Sequence, residues 1–266
     1  MRIASVGHAV FAAAMIGIGI LGLVKGEFIV LWDAVPKDFP ARKAVLYLCA
    51  LIYLGCGAGL LWQRTAAPAA RLLFIYLLVG MLFFRLRLIV LYPLVEVTYQ
   101  NNGESAVYVA GAWVLYAGFA GDMEKRRLGF AGFAVGESGV RLARVLYGLA
   151  LIAFGFSHYA YLDNTASLVP AWLPWHVFWA YFTGATYLAA GAAVLSGICA
   201  RLAAALSALQ MGLFGLLVWL PKGLAGQLGP HQWGEFVATC VLTAGAWVVA
   251  DSYRGWPWFG LGRLKT

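Results

Sequence analysis

The chain has 266 residues, of which 63% are hydrophobic and only 11% are charged, and its formal net charge is +8 at pH 7. A soluble domain is about half apolar and about one quarter charged, so the composition excludes a protein whose whole surface faces water. A membrane-spanning helix needs about 20 mostly apolar residues, which leaves room for roughly eight spans joined by short loops. We therefore expect an integral membrane protein in contact with the lipid bilayer. The excess of Lys and Arg is then expected to mark the cytoplasmic loops rather than a nucleic-acid-binding surface.

Hydropathy predicts eight transmembrane helices. They cover residues 10–31, 44–62, 69–92 and 106–121 in the first half, and residues 144–161, 176–196, 201–220 and 234–249 in the second half. Apolar runs of this length must be helices, because hydrocarbon offers no partner for backbone hydrogen bonds and no run alternates as a barrel strand does. The predicted fold class is therefore an all-α polytopic membrane protein.

The two halves repeat one another. One constant shift along the chain, which we call the repeat offset, superposes Val35 and Pro36 on Val169 and Pro170, Pro40 on Pro174, Tyr47 on Tyr181, Tyr53 on Tyr187, Leu54 on Leu188, Gly57 on Gly191 and Trp113 on Trp247. Four spans return the chain to its starting side, which predicts two parallel repeats rather than inverted ones. We expect a first four-helix unit at 1–121, a linker at 122–141 and a second four-helix unit at 142–266.

Basic residues are divided unequally between the two sides of the predicted bundle. If the N-terminus is cytoplasmic, that side carries twelve Arg and Lys residues and the other side carries seven. Cytoplasmic loops are enriched in these residues, so both termini and the linker are predicted to lie in the cytoplasm. The membrane expected is a bacterial inner membrane.

The cysteine and histidine spacings argue against two kinds of redox site. All four cysteines fall inside apolar runs, and none forms a CxxC pair. A thiol relay to a quinone needs closely spaced thiols that exchange disulfides. His158, His176 and His231 stand on three separate predicted elements, so we expect no metal site.

Three stretches of the second half resemble a known family. They are Gly155 to His158 (GFSH), Val169 to Pro174 (VPAWLP) and Tyr181 to Gly191 (YFTGATYLAAG). This pattern is similar to the DoxX family of four-helix membrane proteins, and the chain resembles two such units in tandem. The first unit matches more loosely, since the repeat offset places Val24 where His158 stands.

The DoxX resemblance implies a role in redox chemistry. Some relatives are subunits of thiosulfate:quinone oxidoreductase, so it implies an integral membrane subunit of sulfur or quinone metabolism. A quinone is then the candidate cofactor, and other membrane or redox subunits are candidate partners. Family members often carry an acidic residue where this chain has Tyr53 and Tyr187, which removes any role attached to that acid.

Two arginines interrupt the third span. Arg85 and Arg87 lie in the run LFFRLRLIVLYP, and an ionisable group within a span is a candidate functional residue by default. Residues two apart on a helix point about 200° apart, so the two cannot both face one ligand. One reading is binding of an anion or a lipid head group, and the other is structural pairing with nearby carboxylates.

Further charged residues are predicted at the same end of the bundle. Lys25 and Glu27 lie near the end of the first span, whereas Glu96 and Glu104 precede the fourth. With Arg85 they would form an outward-facing polar mouth that offers guanidinium donors to an oxyanion or a quinone carbonyl. The competing interpretation is a satisfied salt-bridge network.

The second unit places its polar residues on the equivalent side: His158, Asp163, His176, His231 and Glu235. Of these, His158 and Glu235 are candidates for substrate binding, since a histidine can donate a proton. Three functional hypotheses remain open at this point. They are a quinone-linked or anion-binding oxidoreductase component, a non-catalytic subunit of a larger respiratory complex, and an isomerase of a lipid-like or sterol-like substrate.

Overall fold

A computed structural model describes residues 5–28, 35–120 and 129–261. Residues 29–31 of the first predicted span, residues 122–128 of the predicted linker and the side chain of His231 lie outside this description. The helices are α1 (Val6–Lys25), α2 (Arg42–Leu60), α3 (Ala66–Leu91), α4 (Glu96–Phe119), α5 (Gly136–Ala160), α6 (Leu162–Leu168), α7 (His176–Ser196), α8 (Ala200–Leu224) and α9 (Pro230–Ser252). A 3₁₀ turn at Gly129–Ala134 leads into α5.

The prediction of an all-helical fold is confirmed, because no strand occurs in the described ranges, and seven of the described helices are long and apolar enough to cross a membrane. Those seven are α1, α2, α3, α5, α7, α8 and α9 from Gln232 onward. Helix α4 has 24 residues, but its first half carries the polar sequence EVTYQNNGES and it is not among the apolar seven. It nevertheless contributes an almost unbroken run of buried residues from Ser105 to Ala112.

Two helices begin eight or more residues earlier than hydropathy predicts. Helix α4 starts at Glu96 rather than at residue 106, and α5 starts at Gly136 rather than at residue 144. In α4 the polar side chains bond within their own helix, since Asn102 Nδ2 donates to the Thr98 carbonyl and Ser105 Oγ to the Asn101 carbonyl. Hydropathy detects apolar content rather than backbone conformation, so a polar helical turn escapes it.

Helix α4 is the centre of the bundle. It packs against α3, α5 and α9, while α9 also packs against α8 and α1. Helices α4 and α9 cross at two glycines: a Cβ built on Gly111 would lie 2.9 Å from the Gly245 Cα atom. Small residues permit such close backbone approach, which is a main source of helix association in lipid.

Helix boundaries recur at the repeat offset, the same shift that relates Val35 to Val169. Arg42 and His176 begin α2 and α7, Ala66 and Ala200 begin α3 and α8, and Glu96 and Pro230 begin α4 and α9. Helices α3 and α8 each contain one π-helical turn, at Met81–Arg85 and Gly215–Trp219 respectively. The repeat offset also relates these two turns to each other, and it relates Gly111 to Gly245.

Candidate functional site

The π-helical turn of α3 places Arg85 inside the bundle. A π-turn shifts the backbone register of a helix, and such turns often mark functional sites. The Arg85 side chain is only 8% exposed, whereas Arg87 is exposed. The two guanidiniums therefore face different surroundings. Asn102 of α4 donates from Nδ2 to the Arg85 carbonyl at 2.8 Å, which ties the end of the turn to α4.

Charged groups from both halves of the chain surround a fully buried tyrosine, Tyr108 of α4, which is 2% exposed. Four groups lie close enough to act electrostatically on its hydroxyl: Glu104, Arg85, Tyr53 and Glu235. We call these five residues the Tyr108 cluster. They come from α2, α3, α4 and α9, and Gln100 Nε2 lies 3.5 Å from Glu104 Oε1 at the edge of the cluster. The cluster therefore sits where the two halves of the chain meet.

The charges of the Tyr108 cluster decide which ligands suit it. One guanidinium, on Arg85, stands with two carboxyl groups, on Glu104 and Glu235. A small anion entering the cluster would meet at least as much negative as positive charge. A neutral ligand with hydrogen-bonding atoms meets donors and acceptors without that repulsion.

A pocket lies beside the cluster, between α1 and α2. It is lined by Ile18, Gly22, Glu27, Phe28, Leu46, Cys49, Ala50 and Tyr53, and we call it the Tyr53 pocket. Its empty volume is about 210 Å³, much of it open to the outside, and the enclosed space has room for about one water molecule. Tyr53 thus belongs both to the pocket wall and to the Tyr108 cluster.

Tyr53 is held in place by α3. Its ring meets the Tyr76 ring edge-on, with the centroids 5.1 Å apart. The Tyr76 side chain also interacts with Cys49, another residue of the pocket wall. Tyr76 therefore packs behind two residues that line the pocket.

The second half builds a related arrangement around Tyr187. The His158 ring lies 5.3 Å from the Tyr187 ring, and His158 Nδ1 is 2.7 Å from the Phe154 carbonyl. On the other side, Tyr187 is in hydrogen-bond contact with Gln210, whose amide group also bonds Thr186 and the Thr183 carbonyl. A buried tyrosine of the second helix thus meets a polar side chain of the third helix in both halves.

The residues that the sequence predicts to form one site lie in separate parts of the structure. Arg85, Glu104 and Glu235 come together in the Tyr108 cluster, although Glu235 was expected near His158. Glu27 lines the Tyr53 pocket, while Lys25 and Arg87 are exposed. The single mouth predicted from the sequence is thus divided between a pocket and a cluster that share Tyr53.

Two other predicted residues lie on the α5 side of the bundle. Glu96 accepts a hydrogen bond from Ser157 Oγ of α5, so its described contact points away from Arg85. His158 lies between α5 and α7.

Sequence reasoning missed the tyrosines that organise the site. Tyr53, Tyr76 and Tyr108 are buried, but tyrosine is common both in cores and at membrane interfaces, so none of them stands out in an apolar run. The recurrence of Tyr53 as Tyr187 was the one signal available. Among the described residues, no group of three or more His, Cys, Asp or Glu side chains is placed to hold a metal ion.

No family model, no curated protein and no solved structure matches this chain.

Proposed function

We propose that the chain is a DoxX-like integral membrane protein made of two parallel four-helix units, with α4 as its eighth span. The repeat offset, shared by helix starts, π-turns and crossing glycines, supports the repeat. A helix rises 1.5 Å per residue, so the 24 residues of α4 extend about 36 Å, enough to cross a hydrocarbon core of about 30 Å. Its polar half is partly covered, because α3, α5 and α9 pack against α4.

Within this fold, the chain binds the head group of a quinone at the Tyr53 pocket of the first unit. The observation that carries this function is the position of Tyr53, which belongs both to a pocket open to the outside and to the cluster in which Arg85, Glu104 and Glu235 act on the buried Tyr108. A quinone ring is apolar except for its carbonyl oxygens. It needs an apolar wall and a hydrogen-bond donor, and Ile18 with the Tyr53 hydroxyl supplies both.

The charge of the cluster favours a quinone over a small anion. Both were candidates on the sequence, because guanidinium groups can bind either. Two carboxyl groups beside one guanidinium offset the attraction for an anion, whereas a neutral carbonyl is not repelled. The proposed protein is thus a quinone-binding subunit of redox or sulfur metabolism, with other membrane or redox subunits as its electron-transfer partners.

Quinone binding is tested on the purified protein in lipid nanodiscs. We expect extractable quinone in the preparation and saturable quenching of intrinsic fluorescence by a short-tailed quinone. Tyr53→Phe removes one hydrogen bond worth about 1 kcal/mol, so binding should weaken roughly fivefold. Arg87→Gln is the matched control, because Arg87 is exposed and should leave binding unchanged. Absence of both bound quinone and saturable quenching would refute the function.

A second candidate function is isomerisation of a lipid-like or sterol-like substrate. The observation that favours it is the placement of two carboxyl groups, on Glu104 and Glu235, around the buried hydroxyl of Tyr108. A carboxylate that takes a proton and a phenol that stabilises an enolate oxygen are the parts such a reaction uses. Bound lipid or sterol in place of quinone in the purified protein would support this function.

A further inference from the structure

The first helices of the two halves keep a register different from that of the other helices. A Cβ built on Gly19 of α1 would lie 2.7 Å from Leu54 N and 2.8 Å from Ala50 O. On Gly155 of α5 it would lie 2.5 Å from Leu188 Cγ and 3.0 Å from Gly184 O. The repeat offset relates the contacted residues to each other, but Gly155 lies two positions beyond the residue that this offset assigns to Gly19.

A second pair of contacts gives the same register. Gly57 of α2 approaches the Ala12 carbonyl, and Gly191 of α7 approaches the Gly148 carbonyl, both at 2.8 Å from the position of a Cβ. Gly148 again lies two positions beyond the residue that the repeat offset assigns to Ala12. The segment between the first and second helices is therefore two residues longer in the first half, and His158 corresponds to Gly22 rather than to Val24.

This register places the imidazole of His158 at the position of the Tyr53 pocket. His158 contacts Phe154, Gly184 and Tyr187. Their counterparts in the first half are Ile18, Ala50 and Tyr53, and all three line the pocket together with Gly22. In the second half the His158 ring occupies this place. In the first half Gly22 has no side chain, and the space there is a small enclosed part, with room for about one water molecule, that opens to the outside.

We propose that the Tyr53 pocket is a ring-binding site in which the polar edge of a planar ligand takes the place that His158 occupies in the second half. This rests on the proposed function, and it defines the part of the quinone that is bound: one edge of the ring, lying against Tyr53. The Ala50 methyl group takes part of the space, so a ring enters edge-on: only its polar edge reaches the enclosed part, and the rest of the ring lies in the part open to the outside, where Glu27 is exposed.

The neighbouring groups give the ring edge its chemistry. A ligand carbonyl accepts a hydrogen bond from Tyr53, whose ring is held edge-on by Tyr76. A ligand hydroxyl or ring N–H donates to the Glu27 carboxylate at the mouth. The site therefore selects planar rings with a polar edge over aliphatic lipid tails, which carry no atoms that can form hydrogen bonds with Tyr53 or Glu27.

The test exchanges the two sites and uses free imidazole as the probe. Gly22→His alone would meet the Ala50 methyl group, since a Cβ on Gly22 lies 3.0 Å from the Ala50 Cβ. We therefore combine Gly22→His with Ala50→Gly, which reproduces the pairing of His158 with Gly184. The reverse pair, His158→Gly with Gly184→Ala, should open an equivalent pocket in the second half.

Thermal unfolding and ligand-detected NMR are the readouts. For the unaltered protein we expect saturation-transfer signals from imidazole and a rise in Tm of about 3 °C at ten times its Kd. Both should disappear in the Gly22→His/Ala50→Gly variant. The His158→Gly/Gly184→Ala variant should lose stability and regain part of it when imidazole is added. This variant is the positive control, because imidazole then fills the position from which the His158 ring was removed.

The proposal would be overturned if imidazole stabilises the His158→Gly/Gly184→Ala variant but gives no signal with the unaltered protein. A signal that persists in the Gly22→His/Ala50→Gly variant would overturn it as well, provided that the variant unfolds cooperatively. Failure of the proposed function is distinguishable, because in that case imidazole binds at Gly22 whereas a short-tailed quinone does not.

Discussion

Arg85 carries a charge that its surroundings must balance. A guanidinium stays protonated in proteins, and placing it in hydrocarbon is costly unless a partner or a path to water is near. Arg87, two residues later, is exposed and can extend along the helix surface toward the membrane interface. Arg85 instead shares the Tyr108 cluster with Glu104 and Glu235. The two arginines thus form a natural pair of test and control residues.

Replacing Arg85 should destabilise the protein through the charges it leaves behind. Arg85→Gln removes the one guanidinium from a cluster that keeps two carboxyl groups, and breaking a buried charge pair costs about 3 kcal/mol. We expect a clear fall in Tm, together with weaker quinone binding. Arg87→Gln should change both by less than the error of measurement.

The electrostatic origin of this effect has its own check. Arg85→Gln combined with Glu104→Gln removes one positive and one negative charge, so it should recover more than half of the Tm lost by Arg85→Gln alone. Equal Tm values for the single and double variants would assign the loss to packing of the arginine side chain instead.

At the scale of the helix, the π-turn of α3 depends on α4. Asn102 Nδ2 donates to the Arg85 carbonyl at the end of the turn. Asn102→Ala leaves that carbonyl without this donor, and we expect a loss of roughly 1–2 kcal/mol in unfolding free energy. Hydrogen exchange should also become faster at residues 84–88.

Asn101→Ala is the control for this substitution. The described hydrogen bond of Asn101 involves its backbone carbonyl, which accepts from Ser105 Oγ, and not its side chain. Equal protection of residues 84–88 in both variants would show that the π-turn is stable without the Asn102 side chain.

The crossing of α4 and α9 makes a second prediction about elements. Gly111→Ala would place a methyl group 2.9 Å from the Gly245 Cα atom, so the helices must move apart at a cost of about 1–3 kcal/mol. Gly118→Ala on the same helix meets nothing within 4 Å and should be neutral or slightly stabilising. Thermal unfolding of the two variants in the same lipid would measure the difference. A neutral Gly111→Ala would mean that the crossing tolerates greater separation.

Helices were easier to predict than their starts and registers. Long apolar runs gave seven of the helices, because hydrocarbon leaves an apolar segment no other conformation. The start of α4 at Glu96 escaped detection, since its first turns are polar and hydropathy represents neither their helical conformation nor the neighbouring helices that partly cover them. The sequence matched His158 with Val24 because a constant offset cannot represent the change of register that we infer between α1 and α2.

The composition of the site was harder to predict. Arg85 was identified because a charge in an apolar run is conspicuous, and Glu104 because it follows in the next helix. Glu235 joins them only because α9 packs on α4, a contact between distant parts of the sequence that no local pattern encodes. Tyr108 lies in a run of buried small residues and carries no signal of its own.

At the scale of the whole molecule, the uneven distribution of basic residues predicts orientation. Lys37 and Lys222 belong to the end where α1, α3 and α8 finish, and Arg254 belongs to the other end. If both termini are cytoplasmic, a membrane-impermeant thiol reagent should label Lys37→Cys and Lys222→Cys in intact cells. Arg254→Cys should be labelled only after permeabilisation. The reverse pattern would invert the topology and place the Tyr53 pocket on the cytoplasmic side.

The meeting of Gly111 with Gly245 also bears on how such a chain could arise. Two identical units that associate about a two-fold axis contact each other through the same residue on both sides. On the proposed repeat, a gene encoding one unit would have produced a symmetric dimer, and its duplication and fusion would yield the present crossing. In a dimer of identical units every mutation occurs twice. After fusion each copy varies alone, which is the condition under which one half can carry Arg85 and Gly22 while the other carries Trp219 and His158.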